Sequence, residues 1–138
     1  MGLGDVYKRQ ILIYLIKNQP PHVAERIDAL SDADGLAMSF ITWAELLHGA
    51  AGSKRREATL HKLNALSRLV PVLYPEGEAI CRHYAEQATN LKSLGTPIGA
   101  NDLWIACHCL ALGATLVSHN LREFRRIAGL QLVDWAAT

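Results

Sequence analysis

Short apolar runs alternate along this chain with longer amphipathic segments, and turn residues separate most of them. That alternation is the strongest constraint on the fold. A strand that is apolar without a polar face must be covered on both sides, which a parallel sheet flanked by helices achieves. Gly35 to Ile41 reads as a buried strand, Thr42 to Ala51 as a short helix, and Arg56 to Leu69 carries apolar residues at helical spacing. Pro71 to Tyr74 reads as a short strand. Glu76 to about Leu94 reads as a long amphipathic helix ending at Gly95, with Ile80, Tyr84, Ala88 and Leu91 on its apolar face. Asn101 to Leu112 is expected to be a helix capped by Gly113, and Ala114 to Ser118 a strand. Leu121 to Ile127 is expected to be a helix closed by Gly129, and Gln131 to Asp134 a last edge strand. Nearer the start, Pro20-Pro21 opens a helix through about Leu30, and Ile11 to Ile16 fits a strand or a buried helix on pattern alone. The expected class is α/β, a central parallel sheet with α-helices on both faces. With 138 residues, half of them apolar, the chain has enough material for one domain with a full core.

Composition removes several function classes. A formal charge of +1 gives no global attraction for a polyanion, so nucleic acid would be held by local groups such as Lys54-Arg55-Arg56 or Arg122, Arg125 and Arg126. Cys81, Cys107 and Cys109 form no even disulfide framework and read as reduced core residues of a cytoplasmic protein. No apolar stretch approaches a membrane span, and the start lacks the pattern of a secretory signal. The six histidines show no HxxxH or HExxH spacing, which disfavours zinc hydrolase chemistry; His48 and His119 read as structural or surface groups. A nucleotide-binding or phosphatase domain is disfavoured too, since there is no GxGxxG, P-loop or DxDx motif.

Chemistry is signalled by two acids, Glu45 in Ile41-Thr-Trp-Ala-Glu45-Leu-Leu-His-Gly49 and Asp102 in Pro97-Ile-Gly-Ala-Asn-Asp102-Leu-Trp-Ile-Ala106. A carboxylate embedded among Trp, Ile, Leu and Ala is desolvated unless something compensates it, and a shared divalent metal would serve both. The plainer alternative makes Thr42 and Asn101 helix N-caps, with both acids merely favouring a first helical turn. In a parallel sheet, ligands collect at the carboxyl ends of the strands. Glu45 follows one strand, and Ser118-His119-Asn120-Leu-Arg-Glu123 follows another. If Asp102 faces the same crevice, Ser118, Asn120 and Glu123 border an oxygen-rich acidic cluster suited to Mg²⁺ or Mn²⁺ and phosphate esters. Asp102 is expected to be the more direct ligand, with Trp104 packing beneath its helix.

In order and spacing, Ser39-Phe-Ile-Thr-Trp-Ala-Glu45-Leu-Leu-His-Gly49, Gly95-Thr-Pro-Ile-Gly-Ala-Asn-Asp102-Leu-Trp-Ile-Ala106 and Leu116-Val-Ser-His-Asn120-Leu-Arg-Glu-Phe124 resemble the PIN-domain ribonucleases of the VapC toxin type. The resemblance runs from Ile11 to the C-terminus, residues 11–138, as a single PIN domain. It implies a Mg²⁺-dependent endoribonuclease toxin acting on RNA, a homodimer, and a cognate VapB-type antitoxin that silences it. Carried over, Glu45 and Asp102 match the second and third acids of the site and its metal ligands. Ser118 and Asn120 match the polar positions after the fourth strand, where many members place an Asp.

The departure lies at the start. The family opens with a strand ending in Asp-Thr-Asn followed by an apolar helix, and Ile11 to Lys17 resembles that helix. Lys8, Arg9 and Gln10 then stand where Asp-Thr-Asn should be, so the first catalytic acid is replaced by Lys8. Asp5 is a poor substitute, because three residues of extended chain move it roughly 10 Å and turn it to the other face. Residues 1–10 also lack the apolar run of a central strand and read as foreign to the domain. Two expectations arise: a toxin ribonuclease impaired by its N-terminus, or a non-catalytic PIN-fold module that keeps the antitoxin-binding surface.

Overall fold

The computed structural model describes residues 9–14 and 34–134. The expected helix from Pro20 to Leu30, and Asp5 and Lys8, lie outside the described residues. Chain order is β1 (Arg9–Ile13), β2 (Asp34–Ser39), α1 (Phe40–Ala51), α2 (Arg56–Leu69) and β3 (Val72–Leu73). Next come α3 (Ala79–Ser93), α4 (Ala100–Leu112), β4 (Thr115–Val117), α5 (Leu121–Phe124) and β5 (Gln131–Val133). The strands form one sheet in the order β3-β2-β1-β4-β5, and every pairing is parallel. The expected α/β class is what the chain adopts, with β5 at an edge.

Both faces of that sheet are buried, and the two-residue period of a strand sorts the side chains between them. Leu12, Ala37 and Leu116 point to one side, into a cluster with Ile105 and Ala106 of α4, Ile80 and Leu91 of α3, and Phe124 of α5. Ile11, Ile13, Met38 and Val117 point to the other, where Trp43 and Leu46 of α1 and Leu66 of α2 cover them. The stripe expected on the long helix is the one α3 uses, with Ile80 and Leu91 buried and Tyr84 and Ala88 packed beside them. Trp104 packs against this cluster and stacks on Tyr84, ring centroids 4.1 Å apart, in the α3–α4 seam.

Several boundaries move. Ile11 to Ile13, matched by the resemblance to a helix, is strand: β1 pairs with β2 through Ile11↔Leu36 and with β4 through Ile11↔Thr115. The central position requires apolar groups on both faces, which Ile11-Leu12-Ile13 supplies and residues 1–8 do not. Helix α1 starts at Phe40, not Thr42, because Ser39 is the N-cap and its Oγ accepts from the Ile41 N–H at 3.2 Å. Helix α4 starts at Ala100 after Gly99, so Asn101 is an exposed residue within the helix and not its cap. The long helix begins at Ala79 and not Glu76, and the helix after β4 stops at Phe124 and not Ile127. Of the cysteines expected in the core, Cys107 and Cys109 are buried, but Cys81 is exposed.

The end of α4 sets how the chain enters β4. Gly113 adopts φ +64°, and the chain closes a Schellman motif: the Ala114 N–H donates to the Cys109 carbonyl and the Gly113 N–H to that of Leu110. This reversal feeds the chain directly into β4 beside β1.

Candidate active site

Strand order reverses between β1 and β4. From β1 the chain proceeds to β2 and β3 on one side, and only later to β4 and β5 on the other. Loops leaving such a switch point diverge and open a crevice at the carboxyl ends of the strands. Tyr14 stands directly after β1, its N–H bonded to the Val117 carbonyl at 2.8 Å. Ser118, His119 and Asn120 stand directly after β4. Glu45 comes from the second turn of α1 and Asp102 from the first turn of α4.

The side chains meet there. The Tyr14 hydroxyl donates to Glu45 Oε2 at 3.4 Å, and Asn120 Nδ2 donates to Asp102 Oδ2 at 3.1 Å. Ser118 is buried, and its Oγ accepts from the Asn120 N–H at 3.0 Å. Its hydroxyl therefore shapes the loop that presents Asn120. Of the four residues expected at the site, Glu45, Asp102 and Asn120 reach the crevice with functional atoms and Ser118 supports them. Glu123 of α5 is there as well, since it acts on Asp102 both by hydrogen bonding and by charge.

Electrostatics show what the arrangement lacks. The Asp102 carboxyl is pushed up to about 6, first by burial, then by Glu123 and Glu45, while donation from Tyr14 opposes the shift. The Tyr14 hydroxyl is pushed far above its ordinary value by burial and by the charges of Asp102 and Glu45, so it is a neutral donor. Glu45 Oε1 is buried without a hydrogen-bond partner among the described residues. A buried, unpartnered carboxylate oxygen beside an acid that resists ionisation marks a place short of positive charge. The ligand atoms that Glu45, Asp102 and Asn120 offer are hard oxygens. Among the described residues no group of three or more His, Cys, Asp or Glu side chains is disposed to hold a metal ion. Magnesium, however, is commonly held by one or two carboxylates while it keeps several waters, and Glu45 and Asp102 fit that requirement.

Sequence reasoning missed the residues that fix this geometry. Arg126 Nη1 donates to the Pro97 carbonyl at 2.9 Å and ties the α5 turn to the loop that leads into α4 and Asp102. Gln87 of α3 is buried and binds Ala128 in both directions at 3.2 Å, Nε2 to the carbonyl and Oε1 from the N–H. Gln87 does carry a signal, a polar residue inside an apolar stripe, whereas Arg126 sits unmarked in a basic run. Tyr14 is hidden in a segment that the resemblance matches to a helix. Lys54, Arg55 and Arg56 are exposed at the α1–α2 turn.

Comparison with known proteins adds to this geometry. The PIN domain family model matches residues 9–130. A protein named Ribonuclease VapC1 in Haemophilus influenzae (strain R2866) is 53% identical over 125 residues, covering 91% of this chain and 92% of that protein. The tRNA(fMet)-specific endonuclease VapC of Salmonella typhimurium is 37% identical over 124 residues, 89% of this chain and 91% of that one. The solved structure of VapBC-1 from nontypeable Haemophilus influenzae superposes with a TM-score of 0.81 at 50% identity, covering 91% of this chain and 97% of the matched chain.

Proposed function

The chain belongs to the PIN-domain family and, within it, to the VapC ribonucleases of VapBC toxin–antitoxin systems, and on that basis we propose that it is built as a Mg²⁺-dependent endoribonuclease impaired by the loss of its first catalytic acid: the resemblance sets Lys8 at that position, but β1 runs Arg9–Ile13, so the residue this strand delivers to the crevice is Tyr14. The observation that carries this reading is the orphaned Oε1 of Glu45 across the crevice from an Asp102 pushed up to about 6. Glu45 and Asp102 would hold Mg²⁺ or Mn²⁺. Such an ion supplies charge stabilisation at a phosphodiester and acidifies water at neutral pH. The chain's own groups do the rest. Asn120 holds Asp102 Oδ2 in a fixed direction and can hydrogen-bond a phosphate oxygen or water, though it brings no charge. Ser118 fixes the loop that carries Asn120. Tyr14 keeps Glu45 turned toward the crevice.

A neutral phenol where the family has a ligating carboxylate leaves the site one negative charge short and lowers its attraction for a divalent cation. A cytoplasmic setting, a homodimer and a VapB-type antitoxin as partner belong to the same reading. Support for the partner is that the matched Haemophilus structure is of VapBC-1. Among the described residues no helix is long and apolar enough to cross a membrane.

A second reading has its own support: a neutral phenol at the end of β1 and the lack of a three-acid group among the described residues favour a non-catalytic module that binds an antitoxin. Tyr14→Asp, which puts a carboxylate directly after β1, separates the two. On the ribonuclease reading, Mg²⁺ affinity and RNA cleavage rise together, cleavage by about 10²-fold to 10³-fold, as expected for one restored group at developing charge. A repaired chain that binds Mg²⁺ and leaves structured and single-stranded RNA intact establishes the binding module instead.

A further inference from the structure

One exposed group beside the acid site is held more firmly than exposure alone requires. The His119 side chain is 71% exposed, yet its Nδ1 lies 3.1 and 3.3 Å from the two carboxylate oxygens of Asp134, whose own side chain is only 9% exposed. Asp134 follows β5, the neighbour of β4, and His119 follows β4 by two residues. The backbone there is fixed as well, since the Ser118 N–H donates to the Val133 carbonyl at 3.0 Å. The next residue, Asn120, touches Asp102. His119 therefore stands on the rim of the crevice, one residue from a group that contacts an acid of the site.

Asp134 also sets which atom His119 offers. An ionised carboxylate only accepts hydrogen bonds, so Nδ1 carries the proton, and in the neutral ring Nε2 presents a bare lone pair to solvent. An outward acceptor suits a donor on the substrate. Phosphate oxygens donate nothing, whereas the ribose 2′-hydroxyl does, and it is the group that distinguishes RNA from DNA. Arg122 and Arg125, exposed on and just after α5, are near enough in sequence to serve the phosphates on either side.

Resting on the ribonuclease reading above, we infer that His119, oriented by Asp134, accepts a hydrogen bond from a ribose 2′-hydroxyl and is a specificity-determining residue for RNA over DNA. The test is fluorescence anisotropy in EDTA at about pH 8, using a labelled single-stranded oligoribonucleotide and its 2′-deoxy counterpart of the same bases. The chain as it stands should bind the ribose form about threefold to tenfold more tightly, the range of one net hydrogen bond. His119→Phe keeps a flat ring, loses the acceptor, and should remove that preference without weakening the deoxy complex. His119→Gln keeps an acceptor oxygen and should retain part of the preference; Asp134→Asn should reduce it by loosening the ring.

A His119→Phe variant with the preference intact and only a lower melting temperature overturns the inference, since the pair is then a staple between β4 and β5. Equal binding of both oligonucleotides by the unmodified chain overturns the inference and leaves the ribonuclease reading standing. Binding of neither, in EDTA and again with Mg²⁺ added, overturns both.

Discussion

The two carboxylates of the crevice are compensated in opposite ways. On the α4 side Asp102 has company: Asn120 donates to it, Glu123 shares its environment, and the loop before it is tied down by Arg126. On the α1 side Glu45 has one long hydrogen bond from Tyr14 and a buried oxygen with nothing opposite it among the described residues. Each half is therefore vulnerable in its own way. Asp102 can lower its cost by taking a proton, which is why its carboxyl is held up at about 6. Glu45 Oε1 bears a desolvation cost of about 1–3 kcal/mol that only a cation or a new donor would relieve.

Undoing the scaffold on the Asp102 side should do the most damage. Gln87→Ala leaves the N–H and carbonyl of Ala128 without their buried partner and opens a gap beneath the α5 turn. It should lower the unfolding free energy by about 3 kcal/mol in a urea titration. No comparable scaffold bond supports Glu45 among the described residues, so the loss should fall on the Asp102 side.

Next in size is a pH effect that belongs to Asp102. Its folded-state value of about 6 lies above the ordinary 3.8, so between those values the folded chain holds more protons than the unfolded one. The associated stability is fully present below 3.8 and is lost as pH rises through about 6. Asp102 is half-buried, and solvent screening reduces the contribution to the order of 1 kcal/mol. Relative to the parent, Asp102→Asn should therefore gain about 1 kcal/mol between roughly pH 4 and pH 7 in paired denaturation curves. A constant difference across that range would be at odds with a carboxyl held in its neutral form by its surroundings.

Arg126→Ala should act less on stability than on the site, because it releases the Pro97 carbonyl and with it the approach to α4. Mn²⁺ affinity is expected to fall about threefold by water-proton relaxation, with the melting temperature nearly unchanged. Smallest of all is Tyr14→Phe. Loss of a 3.4 Å hydrogen bond should shift stability by less than about 1 kcal/mol. It frees Glu45 to turn from the crevice and takes a donor from Asp102, so any change in Mn²⁺ affinity should be a modest loss.

Legibility in the sequence divides along similar lines. The sheet can be read because Ala37-Met38 and Leu116-Val117 are apolar on successive residues in short runs that alternate with longer amphipathic segments, the pattern of strands covered on both faces. Gly95 and Gly113 mark their helix ends because the chain there needs positive φ. Both acids can be read because a carboxylate inside an apolar run is costly and stands out. The start of α1 is misplaced by the sequence pattern because Ser39 looks like part of a buried strand; its hydroxyl is buried and still caps the helix. The position of Tyr14 is beyond reach, since Ile11 to Ile16 suits a strand or a helix equally and only the pairing of β1 with β2 and β4 decides. Gln87 and Arg126 act across 41 and 29 residues of sequence, and no local pattern reports such partners.

If the two carboxylates serve one purpose, then Glu45 and Asp102, unlike as their surroundings are, share one hard cation. Mn²⁺ titration followed by water-proton relaxation addresses that sharing without any intermediary, on the chain as it stands and on Glu45→Gln and Asp102→Asn. One site is expected, with affinity reduced about tenfold or more in each variant, because each removes a charged ligand from an ion held by two. Unchanged affinity in both variants would contradict a shared cation.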